Sequence, residues 1–147
     1  MGMRDMQTKN PDYRAAVEHL FAAASFITLL GIKLQDVAPG TCQATMALSS
    51  NHRQHLGRIH GGAIVTLAGH AATGAVTSLL PADKVVVAIE YKINLFRSVA
   101  GEQLYAAAKV IMPGKTLLVA ESEVFDGADA TGKLIAKATF TFMSVDA

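Results

Sequence analysis

The segment Gln54-His55-Leu56-Gly57-Arg58-Ile59-His60-Gly61-Gly62 holds the residue types in this chain best suited to chemistry. It is polar and turn-prone, ends in paired glycines, and runs directly into an apolar pattern of helical period. Peptide N–H groups at a helix start lack partners within the helix and lie at the positive end of its dipole. With no side chain at Gly61 or Gly62, a ligand carbonyl can come close to those amides. The chemistry predicted is stabilisation of a developing oxyanion. Gln54 adds a side-chain amide, and His60 an imidazole whose expected role is architectural rather than proton-transferring.

A helix must position these groups, within residues 61–80. Ala63, Ile64, Val65, Leu67, Ala68, Ala71, Ala72, Ala75, Val76 and Leu79 place apolar side chains on nearly all of its sides, so most of its circumference must be covered. Ahead of it, residues 1–10 read as a loose polar tail. Asn10 is a helix cap followed by Pro11 and Asp12, and Val17, Leu20, Phe21 and Ala24 share one face. Ser25 caps a second short helical turn through Phe26 and Leu29 that stops at Gly31. Strand periods follow at residues 32–37 and 41–48, joined by Pro39-Gly40, and after the helix at 85–96, 103–112, 117–125 and 133–145. This order predicts an α+β fold, one long curved antiparallel sheet wrapped around one central helix. Residues 1–24 form a tail and helical arm, and residues 25–147 a single domain.

Composition narrows the function classes. The chain has 147 residues, enough for one domain but not for separate cofactor and substrate domains. Hydrophobic residues make up 51% and charged ones 17%, so part of the surface is expected to be buried against another copy. The formal charge is +1 and the lysines and arginines are scattered, which gives no footprint for nucleic acid or an acidic membrane. Cys42 is the sole cysteine, so no intrachain disulfide forms, and the N-terminus lacks the apolar core of a signal peptide. A cytoplasmic protein is expected. Residues 61–80 contain Gly, Thr and His70, as a buried soluble helix would rather than a membrane span. His52-x-x-His55 lacks the pairing of a zinc motif, so no metal is expected.

Three ordered motifs carry a family resemblance. They are Gly57-Arg58-Ile59-His60-Gly61-Gly62-Ala63 followed by Thr66-Leu67-Ala68; Val87-Ala88-Ile89-Glu90-Tyr91-Lys92-Ile93-Asn94-Leu95-Phe96-Arg97 leading to Gly101; and Pro113-Gly114-Lys115-Thr116-Leu117. Over roughly residues 25–145 the chain resembles the hotdog-fold thioesterases of the 4-hydroxybenzoyl-CoA thioesterase superfamily. Among them it is most similar to the phenylacetate-degradation type of acyl-CoA thioesterase. The resemblance implies a dimer with sheets joined edge to edge, often paired again into a tetramer, with sites at the subunit interface. It implies an acyl-CoA substrate cleaved by water, and no separate cofactor because coenzyme A belongs to the substrate. The oxyanion donor would be the amide of Gly61 or Gly62. Gln54 stands where the family usually has a water-positioning Asn. Arg97, Lys115 and the main chain near Val99 and Thr116 would hold the CoA phosphates and pantetheine.

One departure falls on the chemistry. Counted from His60, the family's catalytic Asp or Glu lies at position 69, and this chain has Gly69. His70 is turned from that direction by about 100 degrees of helix. Thr66 and Thr73 share the face, but an unassisted hydroxyl is a poor base. Glu90 is either a substitute base or a strand residue paired with Lys92 or Arg97. Gly69 and Gly74 each cost about 1 kcal/mol in a helix, which implies close packing or a lost side chain. The expectation is an acyl-CoA thioesterase slowed by the missing carboxylate and quickened by Gly69→Asp. An acyl-CoA-binding protein without hydrolysis and, further off, a hydratase on the same fold are the alternatives.

Overall fold

Cys42, Ala44 and Met46 point into the core while Thr41, Gln43 and Thr45 stay half-exposed, the period of two that makes Thr41–Ala47 a strand. The computed structural model describes residues 6–147, so the first half of the polar tail lies outside the described residues. Strand β1 (Ile32–Ala38) pairs with β2 (Thr41–Ala47) across a turn in which Gly40 takes φ 82°, the left-handed region open to glycine. Beyond the central helix come β3 (Lys84–Leu95), β4 (Gln103–Pro113), β5 (Leu117–Asp126) and β6 (Lys133–Asp146). All pair antiparallel in one sheet of order β1-β2-β4-β5-β6-β3.

The central helix α3 spans Gly61–Thr77, ending before the apolar run does. Its end is held by Ser78, whose Oγ donates to Ala75 O (2.6 Å) and accepts from Gly40 N–H (2.8 Å), leaving Leu79 and Leu80 buried in the turn that follows. Small residues on both layers let helix and sheet approach closely, with Ala68, Ala71 and Ala75 buried over a sheet face that includes Ala44, Ala106 and Ala120. At Gly74 a Cβ would stand 2.6 Å from Cys42 Sγ, so this glycine is a packing requirement. Burial pushes the Cys42 thiol up to about 12, which leaves it unreactive at neutral pH.

Two helices form the arm, α1 (Tyr13–Ala23) and α2 (Ser25–Leu30). Val17 and Phe21 of α1 enter the core. The expected Asn10 cap is displaced: Asn10 Oδ1 accepts from Asp12 N–H (2.9 Å) and Asn10 O from Tyr13 N–H (3.1 Å), which builds a turn before the helix rather than its first cap. Likewise α2 is entered through Ala24, whose carbonyl accepts from Thr28 N–H, and Ser25 makes no capping bond. Its stop at Gly31 (φ 73°) is as read, with the Gly31 N–H closing on the carbonyls of Ile27 and Thr28.

Sheet and arm together leave one flank of α3 only half-covered, along Val65, Thr66, Gly69, His70 and Thr73. The two sheet edges also differ. β1 is short, bulged between Leu34 and Asp36, and pinned by Arg14, which donates to Asp36 Oδ1 (3.1 Å) and Val37 O (2.8 Å). β3 is longer, and among the described residues its outer edge has no strand partner, with Val85, Val87, Ile89, Tyr91 and Leu95 each 44–57% exposed. Among the described residues no helix is long and apolar enough to cross a membrane.

Candidate active site

The loop before α3 is tied down by its own main chain. Arg53 bridges to Ile59, Gln54 N–H donates to Arg58 O (2.8 Å), and Gly57 turns the loop at φ 81°. The Gln54 Oε1 accepts from Leu56 N–H and Arg58 N–H, so its Nε2 is left to donate outward. Beneath the loop sits His52, 6% exposed, just ahead of Arg53. Its Nδ1 accepts from Ser49 N–H (2.9 Å), so the proton is on Nε2, which donates to Leu30 O (2.7 Å). His60 N–H then donates to His52 O (2.8 Å).

At the helix start the two glycines part company. Gly62 N–H donates to His60 Nδ1 (2.8 Å), so that amide is already used and His60 is the cap of α3. Gly61 N–H has no acceptor among the described residues. With Nδ1 accepting, neutral His60 carries its proton on Nε2 and has no free lone pair to act as a base, in keeping with an architectural role.

Gly61 opens on a cavity of about 360 Å³ lined by Gln54, Arg58, Ile64, Leu95, Arg97 and Val99 among others. Four residues singled out in the sequence, Gln54, Gly61, Arg97 and Val99, are thus brought together. What sequence reasoning missed is how the loop after β3 is held. The Asp126 carboxylate accepts from Ala100 N–H (2.8 Å) and Gly101 N–H (3.2 Å), and a Cβ at Gly101 would collide with it. The Asp126-Gly127 turn and Gly101 were each visible in the sequence, but nothing in it links them.

Lys115 and Thr116 lie elsewhere. They form the turn between β4 and β5, where Thr116 O accepts from Ser144 N–H (2.8 Å) and Lys115 lines a cleft with Leu80, Lys84 and Ser144. Lys84 N–H and Leu79 lie beyond the C-terminal end of α3, so within one protomer these residues are at the opposite end of the sheet from Gly61. Glu90 pairs with Thr141, on the face away from the buried Phe140 and Phe142, and does not face α3.

Gly69 faces a second cavity, about 250 Å³, on the half-covered flank of α3 with Thr66, His70, Thr73, Tyr91 and Phe140. A Cβ at position 69 would fall 2.9 Å from Phe140 Cε1, so the ring of Phe140 holds the space a side chain would need. Thr66 and Thr73 donate back to the carbonyls of Gly62 (2.7 Å) and Gly69 (2.8 Å), and among the described residues no carboxylate lines either cavity. His70 packs edge-on against Phe21 (4.5 Å), with its Nε2 buried and without a hydrogen-bond partner among the described residues.

Burial lowers the proton affinity of His70, and the Leu20 carbonyl offsets this only in part. A pKa lower in the folded than in the unfolded chain means the unfolded chain binds more protons as pH falls through the ordinary imidazole range, so stability rises with pH there. Thermal unfolding followed from about pH 7.5 to about pH 5 should therefore show Tm falling in acid. In His70→Leu that slope should be shallower, and equal slopes would remove His70 as its source.

The sequence pattern described as the thioesterase superfamily matches residues 56–133, from the loop ahead of Gly61 to the start of β6. Human acyl-coenzyme A thioesterase 13 is 30% identical over 140 residues, covering 92% of this chain and 96% of the relative. A solved thioesterase family protein from Silicibacter pomeroyi superposes with a TM-score of 0.87 at 28% identity, over 92% of this chain and 99% of that one. The PaaI protein of the phenylacetic acid degradation operon of E. coli shares the fold, with a TM-score of 0.82 at 22% identity over 94% and 96% of the two chains. With its central helix wrapped by one antiparallel sheet in the hotdog manner and an amide left open at the helix start, the chain belongs to the thioesterase superfamily.

Proposed function

We propose that this protein hydrolyses an acyl-CoA thioester to the free acid and coenzyme A, with the thioester carbonyl bound at the Gly61 N–H. The unengaged amide at the N-terminus of a 17-residue helix is the observation that carries this reading. As the tetrahedral intermediate forms, negative charge grows on the carbonyl oxygen, where this N–H and the helix dipole act without reorganising. Gln54 lines the same cavity, and its side-chain amide would orient the carbonyl or the attacking water. Arg58 and Arg97 on its rim suit the phosphates of CoA.

The working unit in this reading is a dimer formed through β3. Two copies joined by a two-fold axis at this edge pair antiparallel, so the Leu95 end of one β3 meets the Lys84 end of the other. That arrangement would carry Lys115 and Thr116 of a second copy toward Gly61 and Arg97 of the first, supporting the CoA-binding role that one protomer does not assemble. A tetramer is supported by a second surface. Val87, Met143 and Leu117 are neighbours across β3, β6 and β5 on the sheet face away from α3, and Val87 and Leu117 are both over 40% exposed.

The lack of a carboxylate along either cavity makes turnover slow, since a general base is typically worth about 10² to 10⁴ in rate. It also favours the second reading, an acyl-CoA-binding protein that does not hydrolyse. Free-thiol release from a panel of acyl-CoAs, measured over a dilution series with sedimentation in parallel, tests the proposal. Release above background that weakens as the dimer dissociates is expected. Binding without release at any concentration supports the non-hydrolytic protein instead.

A further inference from the structure

One wall of the Gly61 cavity is a stretch of chain with little of its own to hold it. Phe96, Arg97, Ser98 and Val99 line the cavity just beyond the end of β3, and of these only Val99 is half-buried. Among the described residues the N–H groups of Arg97, Ser98 and Val99 donate no hydrogen bond, and Arg97 makes no ion pair. Three open amides and a guanidinium thus share one short, exposed segment. Few contacts within it offset the backbone entropy lost in ordering it, so its placement depends on what lies at its ends.

Both ends are held. Phe96 N–H donates to Ile135 O (2.8 Å), which carries the pairing with β6 one residue past β3. At the other end Asp126 closes the segment. Its main chain ends β5 opposite Leu104, and its carboxylate reaches past the start of β4 to accept from Ala100 N–H (2.8 Å) at Oδ2 and from Gly101 N–H (3.2 Å) at both oxygens. Bonds to a charged acceptor are stronger than neutral ones. Gly101 is fitted to this clamp, because a Cβ there would collide with Asp126 Oδ1. Asp126 itself does not line the cavity, and it leaves the charge of Arg97 uncompensated.

We infer that Asp126 is a positioning residue for the substrate: from outside the cavity it fixes residues 97–99, where the open amides and Arg97 meet the phosphate-bearing part of the acyl-CoA. The inference rests on the thioesterase reading above and adds to it the group that sets this wall. Binding then depends on Asp126 more than the chemical step does, because the Gly61 amide is held by a separate set of bonds, at the start of α3 and through His60.

The test compares wild type with Asp126→Ala, Asp126→Asn, Gly101→Ala and the double variant of Gly101→Ala with Asp126→Ala. Asp129→Ala is the control, since that carboxylate accepts from Thr131 within the turn after β5 and makes no bond to the loop. Affinity for an S-alkyl coenzyme A thioether, which cannot be hydrolysed, is measured by calorimetry beside KM and kcat for the matching thioester and for the same acyl group on pantetheine, which lacks the phosphates. Asp126→Ala should weaken thioether binding and raise KM for acyl-CoA by about tenfold, with kcat and the KM for acyl-pantetheine each changing by less than about threefold. Asp126→Asn keeps one acceptor oxygen for Ala100 N–H and should recover part of the loss. Gly101→Ala should match Asp126→Ala, and the double variant should be no worse than either single one, because all three break the same clamp. Should Asp126→Ala fail to fold, Asp126→Asn and Gly101→Ala carry the test. Folded variants that bind the thioether as wild type does overturn the inference and spare the thioesterase reading. Equal losses on acyl-CoA and acyl-pantetheine, or additive losses in the double variant, make Asp126 a general stabiliser of the fold and likewise overturn it. Failure of thioether and thioester alike to engage wild type overturns both.

Discussion

Gly61→Pro should lower kcat for acyl-CoA hydrolysis by about 10² to 10³ while the protein stays folded, the loss expected when one oxyanion donor is removed. Proline is suited to this position for three reasons. Gly61 is the first residue of α3, where proline is favoured and the N–H has no helical partner to lose. His60 has φ −65° and ψ 133°, the extended conformation that a residue before proline prefers. The added Cβ would meet only Leu95 Cδ1 at 3.1 Å, the tip of an exposed, movable side chain. Gly61→Ala supplies the same Cβ and keeps the N–H, so it should retain most of the rate. If both variants unfold near the wild-type Tm and Gly61→Pro turns over as fast as Gly61→Ala, the amide is not the oxyanion donor.

Gly69→Asp together with Phe140→Leu should raise kcat by about 10² or more over Phe140→Leu alone, and Gly69→Asp by itself should do much less. From sequence alone the single substitution looked sufficient. The structure changes that expectation, because the new Cβ would stand 2.9 Å from a ring packed between Tyr91 and Phe142. Two effects oppose each other in the single variant, a gain in water activation and a strained core worth about 1–3 kcal/mol in stability. Trimming Phe140 removes the second. A double-mutant cycle in kcat and in Tm separates the two, and kcat in the double variant should acquire an acid limb as the carboxylate protonates. A folded double variant no faster than Phe140→Leu would mean that position 69 is not where water is activated in this protein.

Much of the architecture could be read from period and punctuation. Alternation along residues 41–48 and 133–145 marked strands, and the Gly31 and Gly40 stops were marked by residues suited to left-handed backbone. The helix caps were less legible, because Asn10 and Ser25 offer side chains that neighbouring turns or solvent can use equally well. The choice between Gly61 and Gly62 could not be made from sequence, since it depends on the ring of His60 folding back onto one amide. Phe140 lies within the stretch 133–145 that reads as strand, yet its relation to Gly69 crosses 71 positions and depends on the register of β6 against the helix. Strand order decided the placement of Lys115. A turn that looks like a neighbour of the site in a list of motifs is at the far end of a twelve-residue strand.

His52 ties the helical arm to the proposed oxyanion site. Leu30 O accepts from the His52 ring (2.7 Å), the His52 carbonyl from His60 N–H (2.8 Å), and the His60 ring from Gly62 N–H (2.8 Å), so the links between these residues are all short hydrogen bonds. His60, the residue before the open Gly61 amide, is therefore held from two sides, by the start of α3 and by the last turn of α2. In the proposed site, an N-terminal segment away from the Gly61 cavity would still help to fix where the thioester carbonyl sits. Changes of sequence in that arm can tune the rate while the sheet and central helix stay as they are.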